Sequence, residues 1–380
     1  MPKKYKVLIL HTSVGHGIRI IAENIYCELQ NQALFEVRIA DLYEVAPGSD
    51  VTILEKIYFF FTEKFPFIWG LLYSEIVAPL MIPFRLPLAS LRYQKIWKLI
   101  REYEPDIVVS TETVPSGIVS YLKRQTWYQG KLVIAFSDYH LHRFWLYDQA
   151  DLYLCVTAEQ VGELQALGIS RNKIALTGMM VAEKFFRKIP RTTAARTFGL
   201  NPDLPTVLLS GGRRGLLVSK ELIEKLSKNP RPFHIVVVTG LNEKLKRELE
   251  ELPSSPHHNL KILGYVQDQD ILMSAVDMMI TKPGGPTIAE AIAKNLPVVI
   301  TDTHPGHESK NMEYLSRHEI AWSARSPEDA SRLTEKILKG EIQLDRNRAY
   351  SKILKPPDSL NITAALIHLR FSSPDANIKA

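Results

Sequence analysis

The chain has 380 residues, too many for one ordinary domain and comfortable for two, and its 46% hydrophobic and 23% charged residues are those of a soluble globular protein. A net charge of +6 and an isoelectric point near 9.0 suit anionic partners, whether nucleic acid, nucleotide phosphates or an anionic membrane face, without choosing among them. Two distant cysteines, Cys27 and Cys155, exclude a disulfide framework and make a reducing compartment the default, and no run reaches the roughly 18 uncharged apolar residues of a spanning helix.

Val7 to Leu10 follows a basic start and is too short for a signal segment, so it reads as a first buried strand. After the loop His11 to Gly17, residues Ile18, Ile21, Ala22, Ile25 and Leu29 recur at helical spacing, and Phe35 to Ile39 makes a second strand. This is one βαβ unit with glycines in its first turn, but it is not a clean G-x-G-x-x-G and carries no dinucleotide assignment. Residues 51–92 differ from the rest: aromatics and aliphatics crowd together, broken by prolines. Two readings fit this insertion. One is a helical hairpin packed on the domain; the other is an exposed apolar patch that touches lipid, with Phe65, Trp69 and Tyr73 near Lys56, Lys64, Arg85 and Arg92 at the interface.

The α/β alternation resumes with strands expected at Ile107–Ser110, Leu132–Phe136, Leu152–Val156 and Ile174–Thr177. Around Pro190 to Pro205 the chain turns polar and reads as a linker, 191–205, closing an N-terminal domain of residues 1–190. A second alternating series gives strands at Val207–Ser210, Ile235–Val238, Leu260–Leu263, Met278–Ile280, Val298–Ile300 and Ile320–Trp322, in a C-terminal domain of residues 206–345. The expected fold class is α/β, with two doubly wound Rossmann-like domains facing a cleft.

Chemistry concentrates where strands end. Met278 to Asn311 reads as strand, glycine turn, helix, strand and loop. In such sheets ligands sit at the carboxyl ends of strands, and adjacent glycines opening a helix suit a phosphate. The same turn fits plain structure, since Thr287 and Glu290 also form a T-x-x-E capping box. Ser210-Gly-Gly-Arg-Arg-Gly215 likewise ends a strand; its glycines admit a diphosphate and its arginines add charge, or it is a tight turn with surface arginines. Glu290 and Glu308 are placed to accept hydroxyl hydrogen bonds from a ribose or a sugar, with Asn311 on the Glu308 helix face. His16 and Asp138 are candidate bases in the first domain. His140 and His142 have no matching third ligand, so no metal site is expected, and the diffuse charge argues against nucleic acid as a partner.

Together these stretches resemble the monogalactosyl- and processive glucosyl-diacylglycerol synthases, relatives of the transferase that makes the lipid-linked disaccharide of peptidoglycan. The similarity runs through Leu263-Gly-Tyr-Val266, Met273-Ser-Ala-Val-Asp277, Ile280-Thr-Lys-Pro-Gly-Gly-Pro-Thr-Ile-Ala-Glu-Ala291 and Pro305-Gly-His-Glu-Ser-Lys-Asn311. It continues in Ser137-Asp-Tyr-His-Leu-His-Arg-Phe-Trp145 and Thr239-Gly-Leu-Asn-Glu-Lys-Leu245, and covers most of residues 5–345.

The resemblance implies a GT-B fold and inverting, metal-free transfer of a hexose from a UDP-sugar to a membrane lipid acceptor, diacylglycerol foremost. The donor is a substrate, and no cofactor is implied. Gly211, Gly212 and the turn at Gly284 and Gly285 would cradle the diphosphate, Glu290 would bind the ribose, and Arg213 and Thr287 would belong to the same donor site. The backbone at Tyr265 and Val266 would meet uracil, while His307, Glu308 and Asn311 would face the sugar. The N-terminal domain, with Phe65, Trp69, Tyr73, His142 and Trp145, would face the lipid acceptor and an anionic membrane surface, as expected of a peripheral protein on the cytoplasmic face. Residues 346–380 would form a helix returning to the N-terminal domain, and a tail. The sequence departs from the family at two points: isoleucine (Ile18) stands where the first loop carries histidine, and His307 stands in place of glutamine. A UDP-sugar 2-epimerase and a non-catalytic nucleotide- or lipid-binding relative are the rival readings.

Overall fold

The computed structural model describes residues 4–12, 16–45, 93–215, 219–253, 258–301 and 307–371. The insertion at 51–92, with Phe65, Trp69 and Tyr73, lies outside the described residues. The chain divides into two compact units, one carrying the chain to Met180 and again from Ser351, the other built from Val181 onward to Tyr350.

In the first unit the apolar run Tyr5–His11 is β1, followed by helix α1 (His16–Gln30), β2 (Phe35–Asp41), α2 (Leu42–Val45) and α3 (Tyr93–Tyr103). Then come β3 (Ile107–Ser110), α4 (Thr113–Arg124), β4 (Lys131–Ala135), β5 (Leu152–Cys155), α5 (Ala158–Ala166) and β6 (Ile174–Leu176). The six strands are parallel in the order β2-β1-β3-β4-β5-β6. Val7, Leu8, Ile9, Val108, Val109, Val133 and Ile134 are fully buried, as a sheet covered on both faces requires. Each such side chain contributes about 1.5–3 kcal/mol. Strand order reverses between β1 and β3, and in open parallel sheets ligands sit at the carboxyl ends of the strands beside such a reversal.

The second unit begins with α6 (Arg191–Thr197) and β7 (Thr206–Ser210), then α7 (Lys220–Ser227), β8 (Phe233–Val238), α8 (Glu243–Glu250) and β9 (His258–Leu263). It continues with α9 (Gln269–Ser274), β10 (Met278–Thr281), α10 (Gly285–Ala293), β11 (Val298–Thr301), α11 (His307–Arg317), β12 (Trp322–Ala324) and α12 (Pro327–Leu338). Its parallel order is β12-β11-β10-β7-β8-β9, with the reversal between β7 and β10. Val207, Leu209, Ile235, Val237, Met278, Ile280 and Val299 form the core beneath α7 and α12.

All twelve expected strands are present, with one displaced. The last was expected at Ile320–Trp322, but Ile320 instead closes α11. Its N–H donates to Leu315 O at 2.8 Å and Glu319 takes φ 54°, a left-handed helix end with an apolar residue beyond it. Residues 191–205, expected as a linker, are folded into the second unit. The Arg191 guanidinium pairs with the Asp277 carboxylate and donates to Leu204 O, while Ala194 and Ala195 are buried. Polarity suggested a linker; a long-range ion pair makes it structure.

After α13 (Arg346–Ala349) the chain crosses back. Gly178 at φ 74° lets it pass: a Cβ there would stand 2.2 Å from Leu354 O. Met179 N–H donates to Ile353 O at 2.7 Å, and Leu360 N–H to Leu176 O at 2.8 Å. The final helix, α14 (Ile362–Phe371), buries Ile362, Ala365 and Leu366 and packs on α1. Glu28 of α1 accepts from its first backbone N–H groups, Ile362 and Thr363.

Candidate functional site

The second unit's reversal point is built from backbone. Ser210 and Thr281 are register partners at the ends of β7 and β10, and the Thr281 hydroxyl donates to Ser210 O at 2.7 Å. Beyond β7 the chain does not enter a helix directly, as the glycine pattern suggested. Gly212–Arg214 forms a 3-10 turn closed by left-handed Gly215, and α7 starts later, capped by the Ser219 hydroxyl. The reason is close approach between loops. A Cβ on Gly215 would stand 2.6 Å from Thr239 O, and one on Gly240 2.2 Å from Arg213 O. With Leu241 N–H donating to Arg213 O at 2.7 Å, the turns after β7 and β8 lock together. Arg213 is exposed.

Beyond β10, the N-cap of α10 is Gly284, with proline in the first turn. Thr287 is therefore already inside the helix, and the capping-box reading of Thr287 and Glu290 fails. An N-terminus capped by glycine, opening at the reversal point, has the geometry that receives anions. Lys282, which precedes the turn, is a site residue that sequence reasoning missed. Its ammonium lies 2.5 Å from the Glu308 carboxylate, which is only 4% exposed. Its Cε is also the nearest atom to a Cβ built on Gly212, at 3.7 Å. Asn311, fully buried one turn along α11, donates to Pro283 O at 3.1 Å. The structure thus gathers Gly211, Gly212, Lys282, Gly284, Gly285, Glu308 and Asn311 at the ends of β7, β10 and β11. His307 opens α11, and only its backbone is described.

Glu290 has charged neighbours of its own. It is half-buried on α10, facing Lys184 and Asp270. Burial raises its carboxyl to about 8; Lys184 pulls it back and Asp270 pushes it further up. Tyr265 is 55% exposed beyond β9, and the Val266 carbonyl accepts from Gln269 Nε2 at 3.3 Å.

In the first unit the corresponding loops carry polar groups. His16 begins α1, with only its backbone described. The Ile18 carbonyl accepts from the Thr111 hydroxyl at 3.1 Å, joining the first turn of α1 to the end of β3. Glu112, also missed from sequence, caps α4 by accepting from Val114 N–H and the Thr113 hydroxyl; burial raises its carboxyl. Its signal was an acidic residue between strand and helix.

Asp138 follows β4, and buried Gln160 clamps its loop. The Gln160 amide donates to Asp138 O at 2.8 Å and His140 O at 2.9 Å, and accepts from Val156 and Thr157 N–H. His142 and Trp145, expected to face the acceptor or membrane, are buried instead. His142 Nδ1 accepts from Phe144 N–H, and Trp145 packs edge-on against Phe136. Among the described residues, no three His, Cys, Asp or Glu groups converge as a metal site, and no helix is long and apolar enough to cross a membrane.

Residues 19–181 match the family described as monogalactosyldiacylglycerol (MGDG) synthase, and residues 206–360 match the glycosyltransferase family 28 C-terminal domain. The chain is similar to processive diacylglycerol beta-glucosyltransferases from Bacillus. The Bacillus pumilus protein is 28% identical, covering 92% of this chain and 91% of its own; the Bacillus subtilis protein is 27% identical, covering 94% and 93%. Solved structures share the fold. MurG of Acinetobacter baumannii superposes with TM-score 0.61 at 14% identity over 97% of this chain and 99% of its own. The UDP-GlcNAc 2-epimerase of Neisseria meningitidis gives 0.55 at 15% identity over 95% and 99%. Two Rossmann-like units of parallel strands make this a GT-B fold, and the MGDG synthase and glycosyltransferase family 28 C-terminal domains that the chain carries in turn make it a glycolipid-forming glycosyltransferase.

Proposed function

We propose that the chain moves a hexose from a UDP-sugar to a membrane lipid, diacylglycerol foremost, with inversion at the anomeric carbon. The observation that carries this reading is the second unit's reversal point, where two glycine turns and a helix start meet the buried Glu308 and Asn311. The diphosphate lies along Gly211, Gly212, Arg213, Gly284, Gly285 and Thr287. Uracil meets the backbone at Tyr265 and Val266, ribose meets Glu290, and the hexose meets His307, Glu308 and Asn311.

The acceptor oxygen attacks the anomeric carbon while its proton passes to a first-unit base, His16 or Asp138. The bond to the diphosphate breaks with its electron pair on UDP, whose developing charge faces backbone amides and a helix start. No cofactor takes part. The acceptor arrives from an anionic membrane surface on the cytoplasmic side. An aromatic group on α3 and α4 supports that contact. Tyr93, Trp97, Tyr121 and Trp127 pack ring to ring; Trp127 is 43% exposed, and the neighbouring Lys98, Arg101 and Arg124 are exposed cations.

The test offers labelled UDP-glucose, UDP-galactose and UDP-GlcNAc with mixed membrane lipids and identifies the product. A glycosyl-diacylglycerol of inverted configuration is expected. Epimerised free UDP-GlcNAc, or UDP binding with no lipid product, overturns the reading.

A further inference from the structure

Lys282 is unexplained by glycine turns or by helix capping, yet it makes one of the closest ion pairs in the second unit. The Glu308 carboxylate is 4% exposed, while the Lys282 side chain keeps 28% of its surface open. A carboxylate so far from water is strongly disfavoured as an ion unless a cation stands beside it. The two come from different elements, Lys282 from the end of β10 and Glu308 from the first turn of α11. Asn311, on the same helix, is tied to Pro283, the residue after Lys282. The start of α11 is therefore fastened to the β10 turn at two points, one ionic and one neutral.

We propose that Lys282 is a positioning residue for transfer: its ammonium keeps Glu308 ionised and aimed, so that Glu308 accepts hydroxyl hydrogen bonds from the donor's hexose. This rests on the donor reading above. Lys282 acts on the sugar half of the donor through Glu308. UDP itself, which has no hexose, is bound by backbone at the glycine turns and needs no help from the pair. Asn311 supplies the second, uncharged tether, so loss of the ion pair loosens Glu308 without freeing the whole helix. The pair also restricts substitution: an arginine can hold the carboxylate, whereas an uncharged side chain of similar length takes the neighbouring cation away from it.

The experiment compares Lys282→Met, Lys282→Arg, Glu308→Gln and Lys282→Met/Glu308→Gln. UDP affinity is measured by calorimetry, and kcat and KM with the UDP-sugar that wild type uses. Lys282→Met is expected to lower kcat/KM by about 30-fold or more, the cost of truncating one partner of a buried charge pair. UDP affinity should stay within about threefold of wild type, and Lys282→Arg should recover most of the rate. The double variant should be no slower than Glu308→Gln alone, because Lys282 has nothing left to position.

A tenfold or greater loss of UDP affinity in Lys282→Met overturns the proposal, since it makes Lys282 a diphosphate ligand in its own right. Additive losses in the double variant overturn it too. If Lys282→Met does not fold, the double variant, which removes both charges, and Lys282→Arg still decide. A wild-type protein that uses no UDP-sugar would instead overturn the donor reading.

Discussion

Replacing Gln160 with methionine tests how the first unit holds the Asp138 loop. Methionine keeps the length of the side chain and its helix propensity but removes every hydrogen bond of the amide. Four backbone groups lose a hydrogen bond: Val156 N–H, Thr157 N–H, Asp138 O and His140 O. Val156 and Thr157 are 1% and 0% exposed, so water does not replace the lost acceptor. A buried unsatisfied group costs about 1–3 kcal/mol, giving about 2–6 kcal/mol for these two. The carbonyls belong to half-buried residues and are partly rehydrated. The Thr157 hydroxyl still caps α5, because it accepts from the Gln160 backbone. Against the usual domain stability of about 5–15 kcal/mol this is a large loss. Urea unfolding, followed by tryptophan fluorescence and by proteolysis of the 138–140 segment, measures it. Below the unfolding midpoint, kcat should fall more than KM rises, because the loop carries a candidate base. A stability change under about 0.5 kcal/mol would show that the amide bonds are replaced by water or bypassed, and would refute the clamp.

Three further outcomes are expected. Glu290 titrates near 8 in the fold, above an ordinary carboxyl, so between those values the unfolded chain has already lost a proton that the native chain keeps. Stability therefore falls as pH rises through that window, and Glu290→Gln should flatten the fall in thermal melts taken from pH 5 to 9 while weakening donor binding. Asp138→Asn and His16→Gln separate the two candidate bases: the true one loses about 10²–10⁴-fold in kcat with little change in UDP affinity, measured in parallel on both variants. Trp127→Ser combined with Arg124→Glu should reduce co-flotation with vesicles containing phosphatidylglycerol and leave binding of UDP intact; unchanged flotation would remove the α3–α4 aromatic group from the membrane contact.

The strands were legible because a parallel sheet covered on both faces demands continuous apolar runs, and Val7–Leu10, Val207–Leu209 and Val298–Ile300 show nothing else. The glycine turns were legible because glycine takes the left-handed φ found at Gly212 and Gly215 without the steric cost that a side chain brings. Residues defined by a distant partner were not legible. Lys282 looked like part of a turn until Glu308 stood beside it, and Gln160 drew no notice until the 138–140 loop came to rest on it. The burial of His142 and Trp145 was not legible either. Their motif placed them correctly beyond β4, but burial depends on what packs over them.

By itself the sequence determined the two α/β series, the twelve strand positions to within a few residues and the family to which the motifs belong, because apolar periodicity and turn chemistry are local properties. Only the tertiary structure decided which strands are neighbours, and so which loops share a reversal point. That choice set Gly212 against Lys282, joined Lys282 to Glu308 and gave Glu290 its charged neighbours Lys184 and Asp270. It also turned an expected linker into α6 through Arg191 and Asp277. Electrostatics in a low-dielectric interior depends on distance and exposure, and neither is written in the order of residues along the chain.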